Sequence, residues 1–344
     1  MSQRKKLIYL CFTSLSVAMV FFLYFSVGFM RDCFTAIPQA NTASDKIFLF
    51  PPNSSVKDAA FKMQKLGWVK YANSVILLSR LRGISTKLHY GEYKLSRGLS
   101  VSQLLDHMYK ARNRVVHHVM FIPGKTFLDL LGIIKLSPKL NNDLTAATLS
   151  KLIKNISPNH SNPEGLFFPD TYNFTYGVAA STLLKKSHQR MAKQLARVWE
   201  KRDVGLPYKT PYQLLVVASL IQSEALLARE RPLVSSVIEN RLNRNMYLQI
   251  DPTVIYGLHR KLGLPLTASD LKFNTPYNTY LHKGLPPTPI DMPSLLSLKA
   301  AAHPAKTQYL YFVLSPGNKG SHVFSNSLKE HQHAVRLYRR FQHS

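Results

Sequence analysis

Thr210-Pro211-Tyr212-Gln213-Leu214-Leu215-Val216-Val217-Ala218-Ser219-Leu220-Ile221-Gln222-Ser223-Glu224-Ala225 is the stretch on which the reading of this chain turns. Thr210 followed by Pro211 is a helix start. A threonine hydroxyl accepts from an amide of the first turn, and proline at the first helical position has no N–H to leave unpaired. From Leu214 to Ala225 apolar residues fall on almost every side, so the spacing predicts a helix buried inside a domain. Glu224 sits near its end, with Leu220, Ile221, Leu227 and Ala228 three and four positions away and Val217 two turns back. No lysine or arginine occupies those offsets. A carboxyl desolvated in this way has its ionised form disfavoured and its pKa raised, which is what a general acid needs near neutral pH. The competing reading is a structural glutamate neutralised by an arginine from elsewhere; Arg229, Arg231 and Arg241 are close in sequence.

Working outward, Ser181–Val198 carries an apolar stripe through Leu183, Leu184, Met191, Leu195 and Val198 and reads as an amphipathic helix. Asp203–Lys209, with Gly205 and Pro207, reads as a linker, and a second helix follows Pro232 through Leu233, Val234, Val237, Ile238 and Leu242. Beyond Met246 short runs alternate with Pro, Asn, Gly and Thr. That texture predicts loops and short strands over a helical base, with Tyr309–Leu314 a strand. Asp251 precedes Pro252, where an aspartate often caps the next helix. No pair of acids declares itself as in a two-carboxylate hydrolase.

The other chemistries are excluded by pattern. Thirteen histidines include the close pairs His117-His118 and His331/His333, but no His-Glu-x-x-His is present. There is no Gly-x-Ser-x-Gly elbow. Gly124-Lys125-Thr126 lacks the glycine that a phosphate loop needs five residues earlier, where Val119 stands, so Thr126 reads as a helix cap. Nothing calls for a metal or a cofactor.

At the other end, Arg4, Lys5 and Lys6 precede an uncharged run from Leu7 to Met30, closed by Arg31. At 1.5 Å per residue it spans about 36 Å, enough for a bilayer core of about 30 Å. It reads as a transmembrane anchor (7–30), with residues 1–6 a cytoplasmic tail by the positive-inside rule; a cleaved signal peptide is the alternative. The remaining chain would then lie across the membrane. Residues 31–45 read as a linker. Next come repeated strand–turn–helix units: Ile47–Phe50 with Ser55 before a helix, Tyr90–Leu95 with Ser100, and Val115–Ile122 with Thr126, plus a helix over Ala72–Leu81. The first two units form a small α+β module at 46–112, and the third opens a larger mixed helix/strand domain at 113–344. The whole is α+β.

The chain has 344 residues with 45 Lys+Arg against 18 Asp+Glu, a formal charge of +27. That surplus excludes an acidic disordered chain and points to a polyanionic partner. Two cysteines, one in the anchor and one just beyond it, exclude a disulfide scaffold. Charge alone would also admit a nucleic-acid binder, but no such motif appears.

The motifs resemble a known family. Ala218–Glu224 is followed by Glu230-Arg231, Asn240-Arg241-Leu242, Leu248-Gln249-Ile250-Asp251-Pro252-Thr253-Val254-Ile255-Tyr256-Gly257, Thr275-Pro276-Tyr277-Asn278-Thr279-Tyr280, Gly284-Leu285-Pro286-Pro287 and Leu298–Pro304. Glu164-Gly165-Leu166-Phe167-Phe168-Pro169-Asp170-Thr171 lies upstream. Over about 46–340 these resemble the bacterial endolytic murein transglycosylases of the MltG (YceG-like) family, which also carry one N-terminal anchor and a LysM-like module. The resemblance implies a catalytic role for Glu224. It implies cleavage of the MurNAc–GlcNAc bond of peptidoglycan glycan strands to a 1,6-anhydro end, terminating strand elongation. It also implies a single-pass inner-membrane protein with a periplasmic catalytic domain, working beside peptidoglycan synthases, with no nucleic acid. The family commonly has a further acid where this chain has Gln222. Asp251, Tyr256, Tyr277, Asn278 and Tyr280 are candidates for the sugar groove, against capping for Asp251 and loop packing for the others. A non-catalytic wall-binding protein that keeps the fold is the alternative, supported by Gln222.

Overall fold

The computed structural model describes residues 3–38, 47–158, 162–317 and 320–342. It divides into two units. The first comprises residues 1–117, 139–141 and 173–178; the second comprises 118–138, 142–172 and 179–344.

The first unit opens with α1 (Gln3–Phe34), followed by β1 (Ile47–Phe50), α2 (Val56–Lys65), α3 (Ala72–Leu81), β2 (Gly91–Lys94) and α4 (Val101–Tyr109). Among the described residues α1 is the one helix long and apolar enough to cross a membrane, over Phe12–Phe34. Its aromatic and aliphatic side chains stand exposed from Phe12 to Val27 and at Met30, while Phe29 packs against the core of the unit. β1 and β2 pair antiparallel, Ile47 opposite Lys94 and Phe50 opposite Gly91. Ser55 and Ser100 each close a capping box, with Asp58 and Gln103 respectively, so both helix starts expected from the serines are present. Phe48, Met63, Val75, Tyr93, Leu104 and Leu105 fill the core between the strands and the helices.

Residues 31–38, expected to be linker, are packed. Asp32 is buried and its carboxylate accepts from Lys70 N at 2.9 Å, Tyr71 N at 3.0 Å and Ser74 Oγ at 3.0 Å. Ile37 is buried and its N–H donates to Leu99 O. The start of α3 has unpaired amides that need an acceptor, and α1 supplies one. The rest of the expected linker, 39–45, lies outside the described residues.

β3 (Val116–Met120) pairs with β4 (Thr171–Thr175). The second unit contains α5 (Phe127–Lys135), α6 (Ala146–Ile156), α7 (Ala180–Glu200), α8 (Pro211–Glu224), α9 (Arg231–Asn243), α10 (Asp251–Gly257) and α11 (Leu295–Ala302). It closes with the antiparallel pair β5 (Tyr311–Leu314) and β6 (His322–Ser325), then α12 (Leu328–Gln342). Every residue from Leu214 to Ile221 of α8 is buried. The helix is the spine of this unit, with α7, α9, α10 and α11 packed round it.

Two expectations change. Residues beyond Met246 hold three helices as well as loops and strands: α10 is only seven residues long, and the apolar stripe of α12 is diluted by histidine and arginine. His331 and His333 lie on α12. The other change is at the end of α8. The helix stops at Glu224, and Ala225 is already extended at φ −94°, ψ 101°. Leu227 and Ala228 are thus not its helical neighbours.

Candidate active site

Glu224 is the last residue of α8. Thr210 accepts from Gln213 N at 3.2 Å and Pro211 opens the helix, so the start is fixed by the residues that predicted it. Ser219 and Ser223 bond back to Val216 O and Leu220 O, a habit of serine that weakens a helix from within. Glu224 is intermediate in exposure, leaving a solvent-facing edge. The protein packed about its carboxyl is nevertheless dense. Burial, reinforced by the charge of Asp251, pushes its pKa up to about 8. The negative end of the helix dipole acts in the same direction. None of the ion pairs among the described residues involves Glu224. The three arginines offered as its neutralising partners are elsewhere. Arg231 donates to Ser294 Oγ; Arg241 is buried and bound to the carbonyls of Leu310, Tyr247 and Leu248; Arg229 is exposed.

Asp251 opens α10 at its first residue, while Ile250 occupies the cap position and no side chain caps the helix. The capping role expected for Asp251 is therefore not what it does. Its Oδ1 accepts from Tyr280 Oη at 2.5 Å. Tyr280 is placed there by a loop pinned to the start of α10: Ile250 N donates to Thr279 Oγ1 at 2.9 Å, and Gln249 N to Thr279 O at 3.1 Å. Burial and Asp251 push the Tyr280 phenol well up, so it stays a donor. Glu224, Asp251 and Tyr280 form one group, with electrostatic contact between each pair.

Tyr256 and Tyr277 belong to a second group. They meet edge to face at 4.9 Å. Tyr256 follows Asp251 by five residues on α10, about 140° round the helix, so it faces elsewhere. Its Oη donates to Glu164 Oε2 at 3.3 Å, and Asn162 Nδ2 donates to Tyr256 Oη at 3.2 Å. Tyr277 Oη and Thr288 Oγ1 share a hydrogen bond of 2.9 Å. Gly257 permits this packing, because a Cβ there would collide with Thr275 Oγ1 and crowd Tyr277. Asn278 is fully buried. Its amide donates to Leu271 O and Phe273 O, and its Oδ1 accepts from Tyr280 N. It holds the loop that presents Tyr280 and has no free group for a sugar.

Two acids were not singled out by the sequence. Glu164 is buried, accepts from Phe127 N at 2.9 Å, and has its pKa raised by burial to about 7. Asp291 is fully buried with both carboxyl oxygens lacking a hydrogen-bond partner among the described residues. Burial first and Glu164 second push its pKa well up, against a pull from Arg231. Their signal was present: Glu164 precedes Gly-Leu-Phe-Phe-Pro, and Asp291 stands in Pro-Ile-Asp-Met-Pro, both acids in apolar company. Gln222 and Asp291 both come within ordinary contact of the site a Cβ on Gly124 would take. The Gln222 Oε1 accepts from Ser294 N at 3.1 Å and Ser297 Oγ at 2.9 Å, at the start of α11. That task needs an acceptor, which an amide supplies as well as a carboxylate.

Among the described residues no group of three His, Cys, Asp or Glu could hold a metal. The arrangement is a candidate acid–base site built on one buried helix and the loops that follow it. The YceG-like family model matches residues 48–337, and the chain belongs to that family. It is 30% identical over 308 residues to the endolytic murein transglycosylase of Bacillus subtilis (strain 168), covering 84% of this chain and 83% of that protein. It is 26% identical over 344 aligned positions to the endolytic murein transglycosylase of Streptococcus pneumoniae serotype 2 (strain D39 / NCTC 7466), covering 91% of this chain but 61% of that longer protein. A crystal structure of a YceG-like protein from Listeria monocytogenes superposes with a TM-score of 0.55 at 26% identity, covering 84% of this chain and 99% of that one.

Proposed function

We propose that this chain is a membrane-anchored endolytic lytic transglycosylase. It cleaves the MurNAc–GlcNAc bond of peptidoglycan strands and leaves a 1,6-anhydro end, so ending strand elongation. Glu224 is its acid and base. The observation that carries the reading is a carboxyl at the end of a buried helix, with no ion pair among the described residues and with burial and Asp251 pushing its pKa up. Protonated Glu224 donates to the leaving oxygen as the sugar becomes oxocarbenium-like. The carboxylate so formed takes the proton of the sugar's own 6-hydroxyl as that oxygen attacks the anomeric carbon. One bond to the leaving group breaks, one intramolecular C–O bond forms, and the proton is returned to Glu224. An internal nucleophile needs no second carboxylate to activate water. Asp251 has the place of a charge that keeps Glu224 protonated between turnovers, oriented by Tyr280. Tyr256 and Tyr277 offer a ring edge and face for sugar stacking.

Gln222 favours no second reading, because it serves α11 as an acceptor. The β1-α2-α3-β2 arrangement supports a LysM-like module at 46–112, and the single apolar helix supports an inner-membrane anchor with the catalytic unit on the periplasmic side. Peptidoglycan synthases are proposed as neighbours.

The test is mass analysis of glycan strands after incubation with the full chain in detergent, wild type beside Glu224→Gln. Anhydro-ended products from wild type alone support the proposal. Hydrolysed ends imply a water nucleophile and overturn the lytic mechanism, and equal cleavage by the variant removes Glu224 from the chemistry.

A further inference from the structure

We infer that the end of α1 and the start of α3 form a binding site for one anionic phospholipid, its phosphate between Arg31 and Lys70 and an acyl chain along Phe25, Gly28 and Phe29. The inference rests on reading α1 as membrane-spanning. A groove of about 360 Å³ lies between these segments, with a lining more apolar than polar. All of it belongs to the first unit.

Three observations converge. The groove is built, because Asp32 ties α1 to the backbone at the head of α3 through Lys70 N and Tyr71 N, and to Ser74 Oγ. Gly28 has nothing within 4 Å of the position its Cβ would take, so the floor stays open between Phe25 and Phe29. The charge at the rim is positive: Arg31 and Lys70 border the groove, and no Asp or Glu does. Asp32, the acid nearest in sequence, is buried and fully engaged by its three donors.

The depth also fits. The uncharged run that begins at Leu7 closes at Arg31, which brings the bilayer surface near that residue. The groove runs from Tyr24 to Arg31 on α1, roughly the last 10 Å below that surface, where acyl chains give way to headgroups. Lys70 lies over the Tyr71 ring at 5.1 Å. An ammonium and a phenol at that level are the pair expected at a membrane interface, with the charge turned to the phosphates. A second apolar helix could fill the floor, but it would leave both cations without an anion. An anionic lipid satisfies floor and rim together.

The test places the full chain in nanodiscs of phosphatidylcholine doped with phosphatidylglycerol and counts the lipids retained by native mass spectrometry. Phosphatidylglycerol should be retained in preference to phosphatidylcholine. Lys70→Glu should lower that preference by more than the roughly fivefold that loss of one membrane-facing cation gives, because it also adds an anion. Gly28→Leu should remove the bound lipid of either kind by filling the floor. Lys70→Gln serves if the glutamate variant fails to fold. Equal retention of the two lipids, or retention indifferent to Lys70 and Gly28, overturns the site while leaving the anchor intact. Failure of the wild type to enter the nanodisc at all overturns the anchor, and the site with it.

Discussion

Glu92 and Glu224, both with carboxyls desolvated by the protein around them, meet opposite fates. Glu92, on β2 of the first unit, is 5% exposed, and its two oxygens are taken by His117 Nε2 at 2.5 Å and Lys139 Nζ at 2.6 Å. Burial alone would raise its pKa, but the two partners outweigh that and bring it below the ordinary carboxylate value. Glu224 has no such partner, and its one charged neighbour is another acid, so its pKa goes up to about 8. Burial is common to both. What separates a structural carboxylate from a candidate proton donor is the sign of the nearest charge.

The largest effect should come from removing the unpaired acid. Glu224→Gln keeps the shape and removes the proton, and general acid–base loss costs about 10²–10⁴ in rate. Glycan cleavage should fall by that factor while the protein stays folded. A residual rate within fivefold of wild type would place the chemistry elsewhere. Glu92→Gln should do the reverse. Cleavage per folded molecule should be unchanged while stability drops by about 2 kcal/mol, below the range of about 3–5 kcal/mol for breaking a fully buried pair, because Lys139 is partly exposed. Since the folded pKa of Glu92 is lowered, that difference is present above the ordinary carboxylate range and vanishes as pH falls through the folded value. Denaturant melts at pH 7 and at pH 3 measure it.

This contrast was half visible in the sequence. The apolar residues around Glu224 are local, at helical offsets, so a strand of letters is enough to expect a desolvated carboxyl. The partners of Glu92 come from 25 and 47 positions away, and nothing at those distances can be read without the fold. The same distinction explains the fold. Helix starts marked by Ser55, Ser100, Thr126 and Thr210 were legible because a cap acts within three residues. The docking of Asp32 on α3 was not, because its donors lie about forty residues on. Asp251 was misread for a related reason: its local position suggests a cap, and a tyrosine 29 residues away takes its oxygen instead.

The unpaired acid should also have a cost that the paired one lacks. The folded pKa of Glu224 lies above its unfolded value. Its contribution to stability is therefore fully present below the ordinary carboxylate pKa and is lost as pH rises through about 8. Glu224→Gln should consequently be more stable than wild type above pH 8, by about 2 kcal/mol once its solvent-facing edge is allowed for, and indistinguishable from it near pH 4. Thermal melts at the two pH values decide this. A gain at pH 4 equal to that at pH 9 would mean the glutamate is not held protonated in the folded state.

The smallest effect tests the neighbour rather than the acid. Burial accounts for the larger part of the shift at Glu224 and Asp251 for the smaller. Asp251→Asn removes a negative charge and leaves the burial, so the pKa of Glu224 should move down by about one unit and remain above that of a free glutamate. Activity as a general acid requires the proton. The alkaline limb of the pH–rate profile should therefore shift to lower pH by the same amount. Wild type and variant should differ little at pH 6 and by up to about tenfold at pH 9, a difference worth about 1.4 kcal/mol. Because Tyr280 binds Oδ1, the asparagine retains an acceptor for that phenol, which keeps the loop in place while the charge is removed. A uniform loss of rate at every pH would instead make Asp251 a contact to the sugar, and an unmoved limb would leave burial as the whole cause of the raised pKa.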